Sequence, residues 1–123
     1  MTGNSLTEQI IAAGSGAERR RLLDRAAGDQ AERLPVEIRE ICIASWSSDP
    51  SRVQRAAAAL GFIYRSHRTD HTLANYKWTE GIAAITRGDF EKAVERLDTA
   101  IAAFLRLGRE VEAARVKVSK LLA

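Results

Sequence analysis

Two histidines four residues apart, in His67-Arg68-Thr69-Asp70-His71, are the nearest this chain comes to a metal-ligand spacing. On one helix face such a pair can share a metal ion. Asp70, however, reads as a helix N-cap, which makes the pair straddle a joint between helices, and no third ligand is evident. A polar interhelical loop accounts for the cluster. The single cysteine, Cys42, lies among apolar residues at helical spacing with no motif supplying a base, and reads as a small core residue. One cysteine also excludes an internal disulfide and suits a reducing, cytoplasmic compartment. Arg19, Arg20 and Arg21 could contact phosphate, but successive helical residues fan around the axis at 3.6 per turn, which describes a solvated face. There is no Gly-rich phosphate loop, no Ser-His-Asp order and no pair of carboxylates in an apolar setting. No catalytic site, metal or cofactor is read. A metal protein or enzyme built on His67 and His71, and a helical nucleic-acid binder using Arg19 to Arg25, are the alternatives to a non-enzymatic reading.

Composition narrows the class. With 46% hydrophobic and 28% charged residues the chain is an ordinary globular domain, and with only 6% aromatic residues and abundant alanine it favours close-packed helices over sheet. The net charge of +3 is too small to imply a nucleic-acid partner. No apolar stretch approaches the roughly 20 residues that span a bilayer, and Met1-Thr2-Gly3-Asn4 lacks the start of a signal peptide. A cytoplasmic protein with no membrane association is expected.

The helices announce themselves through caps and periodicity. Ser5-Leu6-Thr7-Glu8 and Ser15-Gly16-Ala17-Glu18 read as capping boxes, opening helices that run to Ala13 and to about Ala27. Asp29 to Leu34 reads as a turn or one helical turn, with Pro35 in the first position of a new helix whose apolar side is Val36, Ile38, Ile41, Cys42, Ser45 and Trp46. Asp49-Pro50 is a cap followed by an N1 proline, opening a helix with Val53, Ala56, Ala57, Leu60, Gly61 and Tyr64 on one face. A helix from near Asp70 to Arg87 follows. The most strongly marked helix lies between Asp89 and Gly108, with Phe90, Ala93, Val94, Leu97, Ala100, Ile101 and Phe104 on one face. Arg109 to Leu122 completes about seven helices.

Asp49 and Asp89 are 40 residues apart (89 − 49 = 40), and that shift keeps apolar character at most paired positions, including Val53 with Ala93 and Tyr64 with Phe104. Two helices per unit at such a period is the mark of an α-solenoid. Gly88-Asp89-Phe90, then Ala93, Leu97 and Ala100, resembles the turn and second helix of a tetratricopeptide repeat (TPR). The unit is longer than the family's 34 residues. It is similar to the long-repeat arrays of bacterial regulatory proteins and those preceding CHAT peptidases, including the phrase Leu107 to Ala114. The chain departs from the family pattern at Lys77, Glu80 and Leu105, which take its tryptophan, leucine and proline positions. The resemblance implies an all-α, right-handed, TPR-like solenoid, with residues 1–34 as capping or degenerate helices and 35–123 as repeats, the last incomplete.

It also implies a function: a protein–protein interaction scaffold that takes a peptide or protein partner in a groove lined by the first helix of each unit. The family's groove positions fall on Asn75, Trp78, Ile82 and Thr86, on Arg115 and Val118 in the next unit, and on Ile38, Cys42 and Ser45 in the preceding one. Trp78 is either a groove anchor or a space-filling core residue. The last helix carries Val111, Ala114, Val118, Leu121 and Leu122 with no further helix to cover them. Further repeats or a second copy would do so. For the chain as read, the expectation is a homodimer through Val118, Leu121 and Leu122.

Overall fold

The computed structural model describes residues 5–26 and 28–123; the expectations above for residues 1–4 and for Ala27 lie outside them. The described residues form seven α-helices packed antiparallel, each against its neighbours in sequence: α1 (Leu6–Ala12), α2 (Gly16–Leu23), α3 (Asp29–Ser45), α4 (Pro50–Ser66), α5 (Asp70–Thr86), α6 (Phe90–Arg106) and α7 (Glu110–Lys120). Helices α3 to α6 each contain 17 residues, so each spans about 25 Å at 1.5 Å per residue. From α4 on, the starts at 50, 70, 90 and 110 are evenly spaced (70 − 50 = 20). Such short joints leave each helix no option but to fold back along the one before.

The caps set that spacing. Asp49 and Asp89 accept hydrogen bonds from the Arg52 and Lys92 amides at 3.1 and 3.3 Å. At the other ends of α5 and α6, Gly88 and Gly108 take φ of 79° and 72°. Their amides bond to Ile85 and Leu105 carbonyls, while those of Asp89 and Arg109 reach back to Ala84 and Phe104. Both joints are thus Schellman motifs, for which a residue without Cβ is the natural occupant.

Three boundaries differ from the sequence reading. Thr69, not Asp70, caps α5: its hydroxyl accepts the Thr72 amide at 3.2 Å, which leaves Asp70 free to pair with Arg106 on α6 at 3.1 Å. Helix α2 ends at Leu23, because the Arg25 and Ala26 amides close tight turns onto the Leu22 and Leu23 carbonyls. Helix α3 begins at Asp29 and carries Pro35 inside it, so the division between residues 34 and 35 falls within one helix. Proline there forfeits the bond to the carbonyl four residues back. Leu34 is fully buried and Pro35 buried beside it, and that packing outweighs the lost bond.

Helix α5 is central. It packs against α4 and α6 as sequence neighbours and directly against α3. Helix α7 packs on α6 and reaches α3 and α5 through Arg115–Glu40 and Trp78–Ser119, while α1 and α2 lie on α3 and α4. The α5–α6 contact is close because of Gly81, where a Cβ would lie 2.5 Å from Leu97 Cδ2 and 2.7 Å from its Cγ. Leu97 is fully buried and has no room to retreat.

Leu97→Ala should therefore cost about 2–5 kcal/mol. Gly81→Ala should destabilise by about 1–3 kcal/mol through overpacking, although alanine is the better helix former by about 1 kcal/mol. In the Leu97→Ala background the clash is gone, and Gly81→Ala should become neutral or stabilising. Urea denaturation of the four proteins of this cycle measures the coupling; additive effects would show that Gly81 and Leu97 do not meet as described.

Candidate functional site: the face shared by α3, α5 and α7

Of the residues expected to line a groove, Asn75, Trp78 and Arg115 do come together, but as a closed cluster. The Trp78 indole is 1% exposed. The guanidinium carbons of Arg39 on α3 and Arg115 on α7 each lie 5.0 Å from its ring. Phe104 of α6 meets it edge-on at 5.8 Å, and its Nε1 donates to Ser119 Oγ at 3.1 Å. Arg39 also donates to Asn75 Oδ1 at 3.0 Å, and the Asn75 amide nitrogen donates to the His71 carbonyl at 2.8 Å. Glu40 joins the two arginines, with oxygens 2.8 Å from Arg39 and 3.0 Å from Arg115. Burial pushes the Glu40 carboxyl up, but hydrogen bonds from Arg115 and Arg39, with their charges, outweigh it and hold the group below its ordinary value. Trp78 is a core residue in this arrangement.

Past this cluster the same face stays open. Ile82 and Ile85, one and two turns further along α5, floor a cavity of about 140 Å³ walled by Ile43 and Trp46 of α3 and by Val118, Ser119 and Leu122 at the end of α7. Its size is near the ~150 Å³ at which an apolar cavity accepts a benzene-sized guest. Large apolar groups rim it: Trp46 is 39% exposed, Val118 65% and Leu122 48%, with Leu121 standing beside it at 83%. Ser119 supplies the hydroxyl at its edge, and that hydroxyl already serves Trp78.

The remaining expected positions divide. Thr86 turns away from the groove toward α4, accepting from Gln54 Nε2 at 2.8 Å and donating to the Ala83 carbonyl at 2.7 Å. Ile38, Cys42 and Ser45 are all buried. The face α3 offers the cavity lies one residue further on, at Ile43, which is a rotation of about 100°. The family map missed Ile43, Trp46 and Ile85. One sequence signal pointed to the first: Ile41, Cys42 and Ile43 are successive apolar residues, more than a one-sided helix needs.

The other chemical candidates are tied into the fold. His67 ends α4, with its amide on the Ile63 carbonyl, and the His71 ring nitrogen Nε2 pairs with the Glu32 carbonyl at 3.1 Å. Among the described residues no three His, Cys, Asp or Glu side chains are grouped to hold a metal. Burial pushes the Cys42 thiol up to about 12, which keeps it protonated and unreactive. The arginine run splits. Arg20 lies over the Phe62 ring at 5.3 Å and donates to Ser66 Oγ at 2.7 Å, Arg19 donates to the Ala13 carbonyl at 3.3 Å, and Arg21 is exposed. No helix among the described residues is long and apolar enough to cross a membrane. Comparison with protein-family models, with curated proteins and with solved structures finds no match.

The arginine–glutamate bridge makes the docking of α7 sensitive to acid. A carboxyl held below its ordinary value binds a proton more readily unfolded than folded. Its contribution is therefore complete above the ordinary value of 4.5 and is lost as pH falls through the lower folded value. The melting temperature of Glu40→Gln should lie below that of the wild type at pH 7, with the gap closing below about pH 4. A gap that is constant with pH would show that Glu40 contributes by packing alone.

Proposed function

We propose that this chain is a TPR-like helical-repeat scaffold that binds a protein partner, without chemistry of its own, in the apolar groove between α3, α5 and α7. The observation that carries this reading is the cavity itself: aliphatic and indole surface, rimmed by exposed Trp46, Val118 and Leu122. Exposed apolar groups gathered at one concave place mark interaction surfaces. What such a site can grip is one branched or aromatic side chain of a partner, buried as an anchor.

Several features support the solenoid behind the groove. The 17-residue helices and their even starts fit a two-helix unit of 40 residues, and α3, α5 and α7, as first helices of successive units, meet around Trp78. The two Schellman joints close α5 and α6 in the same way. On this reading the groove is the inner face of the array. The arginines over Trp78 fill its middle; a wider and more polar cleft of about 840 Å³ lies toward the starts of α3 and α5, lined by Glu32, Val36, His71 and Arg109, and the apolar cavity around Ile82 lies at their C-terminal ends.

Val118→Glu and Trp46→Glu each place a charge on the rim without touching the buried core, and Glu91→Lys places one on the exposed start of α6. Proteins retained from a lysate of the source cells by the immobilised wild type should be retained by Glu91→Lys and lost from both rim variants, with melting temperatures within a few degrees. A retained set that is the same for all four proteins would remove the groove from the binding site.

A further inference from the structure

The groove carries more than an apolar floor; it carries its own complement. Leu121, 83% exposed, stands next to Leu122, which lines the cavity. A protruding aliphatic side chain and a cavity of matching size thus occur within one patch. That is the requirement for an isologous contact, in which each copy presents the same surface to the other.

Electrostatics favours the same pairing. The cavity lies at the C-terminal ends of α3 and α5, where Ile43 and Trp46 meet Ile82 and Ile85. Neither helix has a basic residue in its last turn. Arg87, the C-cap of α5, is drawn toward α4, where it donates to Gln54 Oε1 at 2.7 Å. Two helix C-termini, which carry partial negative charge, therefore lie near the cavity with no basic residue in their last turns and with the Arg87 cap of α5 engaged by Gln54. Helix α7 has the opposite character: Lys117 and Lys120 fall in its last turn, one turn and one residue before Leu121. Lys120 is paired with Asp98 at 2.8 Å, while exposed Lys117 is free to turn outward.

From these observations we infer that the chain associates with a second copy of itself about a two-fold axis. Leu121 of each copy enters the other's cavity between Trp46, Ile82 and Leu122, and Lys117 approaches the C-terminal ends of the other's α3 and α5. This inference rests on reading the groove as an interaction site, and it names the occupant.

Sedimentation velocity from about 5 to 200 µM, a range in which a micromolar dimer dissociates and forms, tests it. The wild type should move from monomer to dimer over this range. Leu121→Glu alters the projection and Trp46→Glu the hollow, and both should remain monomeric at the highest concentration with unchanged circular dichroism. Lys117→Glu should dimerise several-fold more weakly, by the loss of a helix-end contact in each copy. A wild type that is monomeric at 200 µM, or a dimer that survives Leu121→Glu, would overturn the pairing. A monomeric wild type whose rim variants still lose retained proteins would overturn self-association alone and leave the groove as a site for another partner.

Discussion

Four helices meet on the indole of Trp78. Arg39 of α3 and Arg115 of α7 lie against its ring, Phe104 of α6 meets its edge, and α5 supplies it. A desolvated cation–π contact is worth about 2 kcal/mol, but the constraint is stronger than that figure suggests. The Arg39 side chain is 6% exposed, and a charge so placed must be satisfied on every side or it costs several kcal/mol. Glu40, Asn75 and the ring satisfy it together. Moving α5 away from α3 would strand the guanidinium, and α7 is tied to the same cluster through Arg115, which meets Glu40 and the Trp78 ring.

That constraint also divides the groove. Where the arginines reach, the face between α3 and α7 is filled by Arg39 and Arg115 on the Trp78 ring, with Glu40 joining them. Beyond them, α3 and α7 carry Ile43, Trp46, Val118 and Leu122, which leave a cavity beside the buried Ile82. An array of three parallel helices bridged at one level is left open at the next. The open end is apolar because the residues that continue each helix face are those that would have packed inward had the helices approached further.

Much of this was legible in the sequence, and the failures have definite causes. Caps and periodicity placed the helices because they are local: Asp49, Asp89 and Gly108 act within one turn of themselves. Pro35 misled because its cost is local while its compensation, the burial of Leu34 and Pro35 against other helices, is not. Thr69 took the capping role expected of Asp70 because both are competent acceptors, and Thr69 forms a reciprocal capping box with Thr72. Asn75, Trp78 and Arg115 were grouped by the repeat pattern, yet whether they form a groove or a core depends on Arg39. Nothing in the spacing of Arg39 separates it from the many surface arginines around it. The rotation of α3 that brings Ile43 rather than Cys42 to the cavity is likewise a property of packing between helices.

Helix α7 shows how far the central cation controls the outer edge of the molecule. Only Ala113 and Val116 of this helix are buried, and two small side chains contribute about 2–3 kcal/mol of burial between them. That is little to fix an eleven-residue helix. The rest of its fixing is polar and comes from residues already engaged elsewhere: Arg115 through Glu40, Ser119 through Trp78 and Lys120 through Asp98. Two of those three ties lead back to the Arg39 cluster. The wall of the cavity formed by Val118 and Leu122 is therefore held at its distance from Trp46 by contacts made a turn or two away, around Trp78. A change that loosens the cluster, whether by protonating Glu40 or by truncating Trp78, acts on the groove without touching a residue that lines it. The cluster around Arg39 and Trp78 thus also bears on the width of the apolar cavity that α3, α5 and α7 line.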